Sequence, residues 1–455
     1  MTGAGGGGIE GGVGRGLEGV LWADAADGAP RRPEPAAPPL RGDTVADLAI
    51  VGGGYTGLVT AIAVRDRFPG RRVVVLEAET CGAGASGRNA GMAMPGCGAE
   101  LDRLEAMLGT DGARRAAAWL ADGPRRVAAM ARRIGAAGGV EEAGSLALAR
   151  TARQERAQRR LATVYARLGV EVEILDAAAV RREVDSPLYR SGFHLRGGHL
   201  LIDPLRFVLA LRAAAIDAGV VVHESTPVGA IAPGPTLRLA TPGGAVSAPA
   251  MVLATNAFSP RLGFFRNRVA PVHVACVATA PLAPAARAAL GWRRRQALWE
   301  EGHVYHFMRV TPDDRVLIGG GGVAYHAGDG LEHDGARDFR RLEKALARIF
   351  PALAGVAITH RWTGPVAFAR DFLPSVGVTG PARNIYYAAG YTGHGVALSH
   401  MAARLLCDLY AGEPIEEGGR FLVGRRFPTL LAGPFKWAAI HAVRNGWLAL
   451  DRFGL

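Results

Sequence analysis

The clearest chemical signal is the segment Gly52–Gly57, whose sequence GGGYTG has the spacing G-x-G-x-x-G. It lies between an apolar run that ends at Val51 and a second apolar stretch. In a strand–turn–helix unit of this kind, Gly52 permits the tight turn and Gly54 lets the backbone approach a pyrophosphate. Gly57 lets the helix pack closely on the strand, and the helix N-terminus offers free N–H groups to phosphate. The segment therefore predicts a dinucleotide site.

An acidic residue supports this prediction. Glu77 follows Gly57 by 20 residues and ends the apolar run Val73–Leu76. A carboxylate at this position of a dinucleotide fold binds the adenosine ribose and repels a 2′-phosphate. A glutamate at the exposed end of a strand is the alternative, and the spacing favours the ribose role.

A second glycine-rich stretch, 82–91, reads GAGASGRNAG and follows Glu77 closely. A nicotinamide cofactor has no need of it, whereas a flavin extends past the first loop and its ring must lie against bare backbone. Ser86, Arg88 and Asn89 would supply hydrogen-bond donors to the phosphate and the ring edge. The two glycine stretches together predict FAD.

Composition limits the other classes of function. A chain of 455 residues exceeds one ordinary core, so we expect two domains. The net charge of +12 is almost all arginine, and no Lys/Arg block is interleaved with aromatic residues, so we expect no nucleic acid partner. The four cysteines form no CxxC pair, which argues against a zinc site. We find no secretory signal and no membrane-spanning run, so we expect a cytoplasmic protein.

The motifs resemble those of the D-amino-acid-oxidase superfamily of FAD-dependent oxidoreductases, and within it most resemble the gamma-glutamylputrescine oxidoreductase branch. The resemblance begins at 47–91 and continues through Asp203-Pro204, the D-x-L-P segment 371–374 and the loop 390–396, GYTGHGV. It implies an α/β fold in which an FAD-binding Rossmann-like domain of the glutathione-reductase type is interleaved with an α+β substrate domain on an antiparallel sheet. The expected division is a flexible Gly/Pro-rich segment over 1–40, an FAD-binding domain over 41–110, 195–265 and 360–415, a substrate domain over 111–194 and 266–359, and a tail over 416–455.

The resemblance and the loop chemistry together give an expected set of cofactor contacts. The resemblance implies that the backbone of Val228 contacts adenine and that the 390–396 loop lies near the flavin pyrimidine. There, glycines at a helix N-terminus would stabilise negative charge on the reduced ring. The expected contacts are Gly52, Gly54, Tyr55, Thr56, Gly57, Glu77, Ala85, Ser86, Arg88, Asn89, Ala90, Gly91, Val228, Thr255, Gly390, Gly393, His394, Gly395 and Val396.

Three features depart from the family pattern. No cysteine occurs in 361–371 and the glycine loop carries Asn89 where some relatives have a histidine, so we expect non-covalent FAD. The only lysines are Lys344 and Lys436, and neither is well placed to activate O₂ above the ring. This counts against O₂ as the electron acceptor, so the acceptor is left open between O₂ and another molecule. Asn256 stands where many relatives have glycine.

The predicted strand around 303–310 supplies candidate substrate contacts. Alternating side chains place Tyr305, Phe307 and Arg309 on one face, where the aromatic residues would hold an apolar chain and Arg309 would clamp a carboxylate. The alternative is that Arg309 pairs with Asp313 or Asp314 across the turn. We expect hydride transfer from the carbon that bears nitrogen to flavin N5, giving an imine that hydrolyses, with Tyr305, Arg309 and His394 as catalytic-site residues. The substrate would be an amine or amino acid, with a gamma-glutamyl polyamine as one candidate.

Two other functions share these motifs, namely an FAD-dependent tRNA-modification enzyme and a non-catalytic flavin-binding or membrane-docking protein. The predicted tail helix 435–453 carries an apolar face and basic residues. It is expected to pack on its own domain, with peripheral membrane contact as the alternative.

Overall fold

The computed structural model describes residues 16–24 and 36–453. The α-helices of these residues are α1 (Tyr55–Arg67), α2 (Ala85–Arg88), α3 (Leu101–Arg133), α4 (Ala152–Arg167), α5 (Ala177–Glu183), α6 (Pro204–Asp217), α7 (Pro284–Ala289), α8 (Ala336–Ile349), α9 (Gly395–Ala411) and α10 (Gly433–Phe453). The strands are β1 (Thr44–Val45), β2 (Leu48–Val51), β3 (Val73–Leu76), β4 (Met92–Ala93), β5 (Val140–Glu142), β6 (Ser145–Ala149), β7 (Glu173–Asp176), β8 (Ser191–Leu195), β9 (Leu200–Ile202), β10 (Val221–His223), β11 (Ala230–Ala232), β12 (Leu237–Thr241), β13 (Gly244–Ala248), β14 (Met251–Leu253), β15 (Val269–Thr279), β16 (Ala297–Glu300), β17 (His306–Val310), β18 (Val316–Gly320), β19 (Ile358–Ala369), β20 (Ser375–Thr379) and β21 (Ile385–Ala389).

A six-stranded sheet forms the centre of the nucleotide-binding half. Its order is β10-β3-β2-β14-β21-β20, and all neighbours are parallel except β20 and β21. The strands β2 and β3 are buried along their whole length, as their apolar runs require, and α1, α6 and α9 pack beside them. Because parallel strands end at the same edge, the residues after β2, β3, β14 and β21 meet there. The predicted Rossmann-like fold is confirmed.

The turn after β2 depends on glycine. Gly52 has φ of 109°, and a Cβ atom on Gly57 would lie 2.0 Å from the Gly52 carbonyl oxygen. The turn before α2 repeats this geometry 30 positions later. Gly82 has φ of 87°, and a Cβ on Gly87 would lie 2.5 Å from the Gly82 carbonyl oxygen. Each helix can start so close to the preceding chain only because no side chain intervenes.

An eight-stranded sheet forms the second half, in the order β19-β15-β18-β17-β16-β6-β8-β7. All its pairs are antiparallel except β16 with β6, in agreement with the expected antiparallel substrate sheet. Met308, Val310 and Ile318 pack with α8 on one face, whereas Phe307 and Leu317 contact the core of the nucleotide-binding half. The face predicted for Tyr305, Phe307 and Arg309 is therefore the one turned toward the cofactor domain.

The division between the halves differs from the expected boundaries in two places. The helix α3 packs against α9, so residues 111–133 lie with the nucleotide-binding half. The strand β19 pairs with β15 in the eight-stranded sheet, so 360–369 lie with the substrate half. Both differences arise from packing between segments far apart in sequence. Two small sheets, β1-β13-β12-β11 and β4-β9-β5, complete the fold.

The terminal segments dock on this body. Val20, Leu21 and Trp22 are buried, while residues 1–15 and 25–35 of the segment expected to be flexible lie outside the described residues. At the other end, α10 packs through Lys436, whose Nζ donates to the Val269 carbonyl over 3.1 Å and to Asp329 over 2.7 Å. The tail helix thus contacts its own chain, as expected. Among the described helices, none combines the length and the apolar character that crossing a bilayer requires.

We predict that Gly57→Ala displaces α1, because the new methyl group would overlap a main-chain carbonyl that no rotamer change can move. The free energy of unfolding should fall by about 2 kcal/mol or more, and FAD should be lost on purification. Thermal unfolding and the flavin absorbance per chain measure both effects. The matched control is Gly70→Ala, where nothing lies within 4 Å of the added methyl group. A Gly57→Ala protein as stable and as yellow as Gly70→Ala would contradict the role of the turn.

Candidate active site

Hydrogen bonds bring three distant motifs together at the carboxyl edge of the parallel sheet. The Tyr55 N–H, in the first turn of α1, donates to the Ser86 hydroxyl of α2 over 3.0 Å. The Thr56 hydroxyl is 2.8 Å from the Tyr391 hydroxyl, which lies in the loop before α9. Both glycine-rich stretches and the 390–396 loop therefore surround one site, with Ala85 and Val396 at the starts of their helices.

Glu77 lies directly beneath the first glycine turn. Its Oε2 accepts the Gly53 N–H over 2.7 Å and its Oε1 accepts the Glu79 N–H over 3.0 Å. Burial raises the pKa of Glu77 above its ordinary value, and the nearby Glu224 raises it further. The Glu77 carbonyl accepts the Thr226 N–H over 2.8 Å, which places Val228 just beyond, at the same end of the site.

Glu224 was not among the predicted residues. It is buried after β10, is 3.2 Å from the Arg212 guanidinium and accepts the Cys81 N–H over 2.7 Å. A buried acid with these partners fixes the chain between the two glycine turns. Its position after an apolar run resembles that of Glu77, and this was the only sequence signal that could have identified it.

The second glycine loop is shaped by its own polar side chains. The Asn89 amide donates to the Ala85 and Ser86 carbonyls over 3.0 and 2.8 Å, and its Oδ1 accepts the Gly91 N–H over 2.7 Å. Arg88 donates to the Ala83 carbonyl over 2.6 Å. The described contacts of Arg88 and Asn89 are thus within the protein, and donation by them to a phosphate or a ring edge stays a prediction.

Arg309 reaches the same loop from the substrate sheet. Its side chain is 1% exposed, and its Nη1 donates to the carbonyls of Ile202 over 2.7 Å and Ala90 over 3.1 Å. Its guanidinium lies 5.3 Å from the ring of Trp22, whose Nε1 donates to the Asn89 carbonyl over 2.8 Å.

The alternative pairing of Arg309 across its turn does not occur. Asp313 binds Arg315 over 2.6 Å, and Asp314 binds Arg287 over 3.1 Å. Arg309 is therefore held by main-chain oxygens around the Ala90-Gly91 turn.

Asn256 finds its explanation in the loop before α9. Its φ is 38°, a left-handed conformation in which glycine and asparagine are the usual residues. Its Oδ1 accepts the Gly390 N–H over 3.1 Å, a contact that glycine could not make. The neighbouring Thr255 hydroxyl is 2.9 Å from that of Ser259. Asn256 thus connects β14 to the turn after β21.

His394 stands at the N-terminus of α9, between Gly393 and Gly395. Its Nδ1 is 3.1 Å from the Thr392 carbonyl oxygen, which can only accept a hydrogen bond, so Nδ1 carries the proton and Nε2 keeps its lone pair. Burial lowers the pKa of His394 below the ordinary histidine value. The imidazole is therefore neutral at neutral pH and can accept a proton.

Two carboxylates lie near the predicted aromatic contact Tyr305, which is 40% exposed at the start of β17. Burial raises the pKa of Tyr305, and the charges of Glu100 and Glu301 raise it further. Burial and the charge of Glu100 raise the pKa of Glu301 to about 7. Glu100 accepts the Tyr165 hydroxyl over 3.1 Å. Sequence reasoning missed both acids, because they come together only when β16 and the start of α3 converge.

This arrangement fits FAD. The glycine turns let the starts of α1 and α2 approach the preceding chain closely, Glu77 ends β3 where this fold would bind adenosine, and α9 begins with glycines on both sides of His394. Neither lysine belongs to this set, since Lys436 is bound to Asp329 and Lys344 is exposed on α8. Within 16–24 and 36–453, no group of acids, cysteines and histidines has the geometry of a metal site.

Comparisons with known proteins agree with the site. The family model "FAD dependent oxidoreductase" (DAO) matches residues 47–409. Gamma-glutamylputrescine oxidoreductase of Escherichia coli K12 is 32% identical over 379 residues, which cover 81% of this chain and 84% of that protein. The crystal structure of glycine oxidase from Geobacillus kaustophilus is 25% identical with a TM-score of 0.68, covering 82% of this chain and 96% of that one. L-Proline dehydrogenase from P. horikoshii, at 19% identity and a TM-score of 0.66 over 84% of this chain and 96% of that one, shares the fold. The chain belongs to the DAO family of FAD-dependent oxidoreductases.

Proposed function

We propose that this FAD-dependent oxidoreductase oxidises the C–N bond of an amine or amino acid to an imine, which water then hydrolyses. The observation that carries the proposal is the neutral His394 at the start of α9, whose Nδ1 is bound to the Thr392 carbonyl so that Nε2 keeps its lone pair. When bound, FAD supplies the hydride acceptor. The names of the relatives, which include an amine and an amino-acid oxidoreductase, agree with this reaction class.

His394 acts as the base that accepts the proton of the substrate nitrogen as hydride leaves the neighbouring carbon and the C=N bond develops. An amine is mostly protonated at neutral pH, and an ammonium has no lone pair to support the developing C=N bond. A neutral imidazole can take that proton through Nε2 while the Thr392 carbonyl holds the ring. The Gly393 and Gly395 main chain at the N-terminus of α9 favours negative charge nearby.

The acids beside Tyr305 favour a cationic substrate. The Glu301 carboxylate, whose pKa is raised to about 7 by burial and by the charge of Glu100, is stabilised by a cation that binds beside it. Tyr305 and Phe307 supply aromatic surface for the hydrocarbon part of the substrate, between its two polar groups. The candidate substrate is therefore a polyamine or its gamma-glutamyl conjugate, oxidised with O₂ or another molecule as electron acceptor.

The first prediction concerns the reaction class. In an anaerobic absorbance titration of the holoenzyme, polyamines, their gamma-glutamyl conjugates or amino acids should bleach the flavin band near ~450 nm. Diamines should bleach it at lower concentration than monoamines of equal length, and Glu301→Gln should reduce that preference by roughly tenfold. Admitting air then tests whether O₂ is the acceptor.

The control for charge placement is Glu343→Gln, which removes an acid on α8 that pairs with Arg361. A yellow protein that no member of the panel bleaches would contradict the proposed function. Equal preferences in wild type and Glu301→Gln would contradict only the cationic pocket.

The second prediction concerns pH. Since His394 must be neutral to act, the rate constant of anaerobic reduction should fall as pH decreases through its pKa, which burial places below ~6.5. His394→Gln should lower that rate constant about 100-fold at neutral pH and remove the acid limb. The matched control is His441→Gln, whose Nδ1 also contacts a main-chain carbonyl, that of Trp437, but on α10. An unchanged acid limb in His394→Gln would refute the base role.

The third prediction separates two roles for Arg309. Its Nη1 donates to the main-chain carbonyls of Ala90, in the second glycine loop, and of Ile202 in β9. We therefore assign Arg309 a role in positioning that loop, in place of clamping a substrate carboxylate. Arg309→Ala should weaken FAD binding by at least about tenfold, with Arg309→Lys restoring part of the affinity. The KM ratio between amines with and without a carboxylate should stay constant.

Arg315→Ala serves as the control, since it removes an arginine of the same hairpin that binds Asp313 instead of the glycine loop. If Arg309→Ala keeps its FAD and raises KM only for carboxylate-bearing amines, the clamp is correct and the positioning role is wrong.

A further inference from the structure

The charged residues of α10 within the described side chains point toward the protein. Lys436 is 3% exposed and binds Asp329, and Arg444 donates to the Val323 carbonyl over 3.3 Å. The Asp451 carboxylate accepts the N–H groups of His303 and Val304. Lys436, Arg444 and Asp451 therefore bind the rest of the protein, whereas charged residues of a surface helix usually lie on the face turned to solvent.

The outer face of α10 is consequently apolar. Phe435 is 70% exposed, and Leu431, which precedes the helix, is 57% exposed. Half of the large apolar side chains that are exposed in the described chain lie between Leu431 and Leu450. Over 433–451, where side chains are described, the exposed positions of the helix are Gly433, Pro434, Phe435, Trp437, Ala438, Ala442, Val443, Asn445, Gly446, Ala449 and Leu450, and none of these is charged.

Exposed arginines flank the start of this face. Arg268 donates to the Phe427 carbonyl over 2.9 Å, and Arg370 donates to the Thr429 carbonyl over 3.3 Å. Arg266, two residues before Arg268, and Arg426, next to Phe427, are also exposed. None of the four forms an ion pair with an acid of the described residues, so their charge faces solvent beside Leu431.

We propose that α10 and this arginine cluster (Arg266, Arg268, Arg370 and Arg426) dock the protein on the surface of an anionic lipid bilayer. An apolar helix face flanked by basic residues suits the boundary between acyl chains and negative headgroups. A second copy fits the same face less well, because the arginine clusters of two chains with a charge of +12 each would repel. The helix lies parallel to the surface, with Phe435 and Leu431 inserted among the lipids.

The helix α10 also contacts residues close to the substrate sheet. Trp447 of α10 lies 5.8 Å from His303 and 5.7 Å from Phe372, ring to ring. His303 lies two residues before Tyr305. The helix α10 therefore packs beside the segment that leads into β17.

The test is co-sedimentation of the FAD-loaded protein with vesicles of phosphatidylcholine alone or mixed equally with phosphatidylglycerol. The wild type should sediment with the mixed vesicles and be released by high salt. Leu431→Asp/Phe435→Asp and, separately, Arg370→Glu/Arg426→Glu should reduce binding by roughly tenfold or more. The matched control is Val45→Asp/Met107→Asp, which places the same charges on exposed apolar residues elsewhere. All variants should retain FAD and melt as the wild type does.

Three results would overturn the proposal. One is a wild type that stays in the supernatant with anionic vesicles. Another is equal sedimentation of the wild type and Leu431→Asp/Phe435→Asp. The third is a dimer by light scattering that Phe435→Asp dissociates, since the face would then belong to a second copy of the chain.

Discussion

The contact on which the rest of the molecule depends is the approach of Gly57 to the carbonyl of Gly52. It places the N-terminus of α1 directly over the carboxyl end of β2, where the ends of β3, β14 and β21 also meet. Glu77, Ser86 and Tyr391 then bind to the backbone or side chains of this one turn and its helix. The glycine turn before α2 repeats the same geometry, and the Ser86 hydroxyl joins it to the first turn of α1, whose N-terminus favours negative charge.

Acidic residues have different partners at the nucleotide end and at the substrate end of the candidate site. At the nucleotide end, the partly buried Glu77 and the buried Glu224 accept main-chain N–H groups. At the substrate end, Glu100 and Glu301 stand near each other beside Tyr305, and the neutral His394 lies at the start of α9. The nucleotide end thus binds its acids through main-chain N–H groups and Arg212, whereas the carboxylates of the substrate end would attract a cationic substrate.

Local patterns predicted much of the fold. The apolar runs that end at Val51 and Leu76 form β2 and β3, because continuous apolar stretches bounded by turns define buried strands. The cofactor motifs were predictable for the same reason, since glycine spacing encodes a backbone shape. The acid pair, the carbonyl partners of Arg309 and the placement of α3 were not, because each joins segments that are distant in sequence. Arg309 and its partner Ala90 are separated by 219 positions, and nothing near either residue specifies the other.

The hydrogen bond between Thr56 and Tyr391 spans 335 residues of a chain of 455. The strand β21 pairs with β14, and most of the substrate sheet lies between them in sequence. On the ribosome, the first glycine turn thus emerges long before its last partners. The nascent nucleotide-binding half must wait with an unpaired edge on β14 while the intervening segment is synthesised. A site that uses all three glycine-rich segments therefore requires synthesis to continue past Tyr391 before its last wall can form.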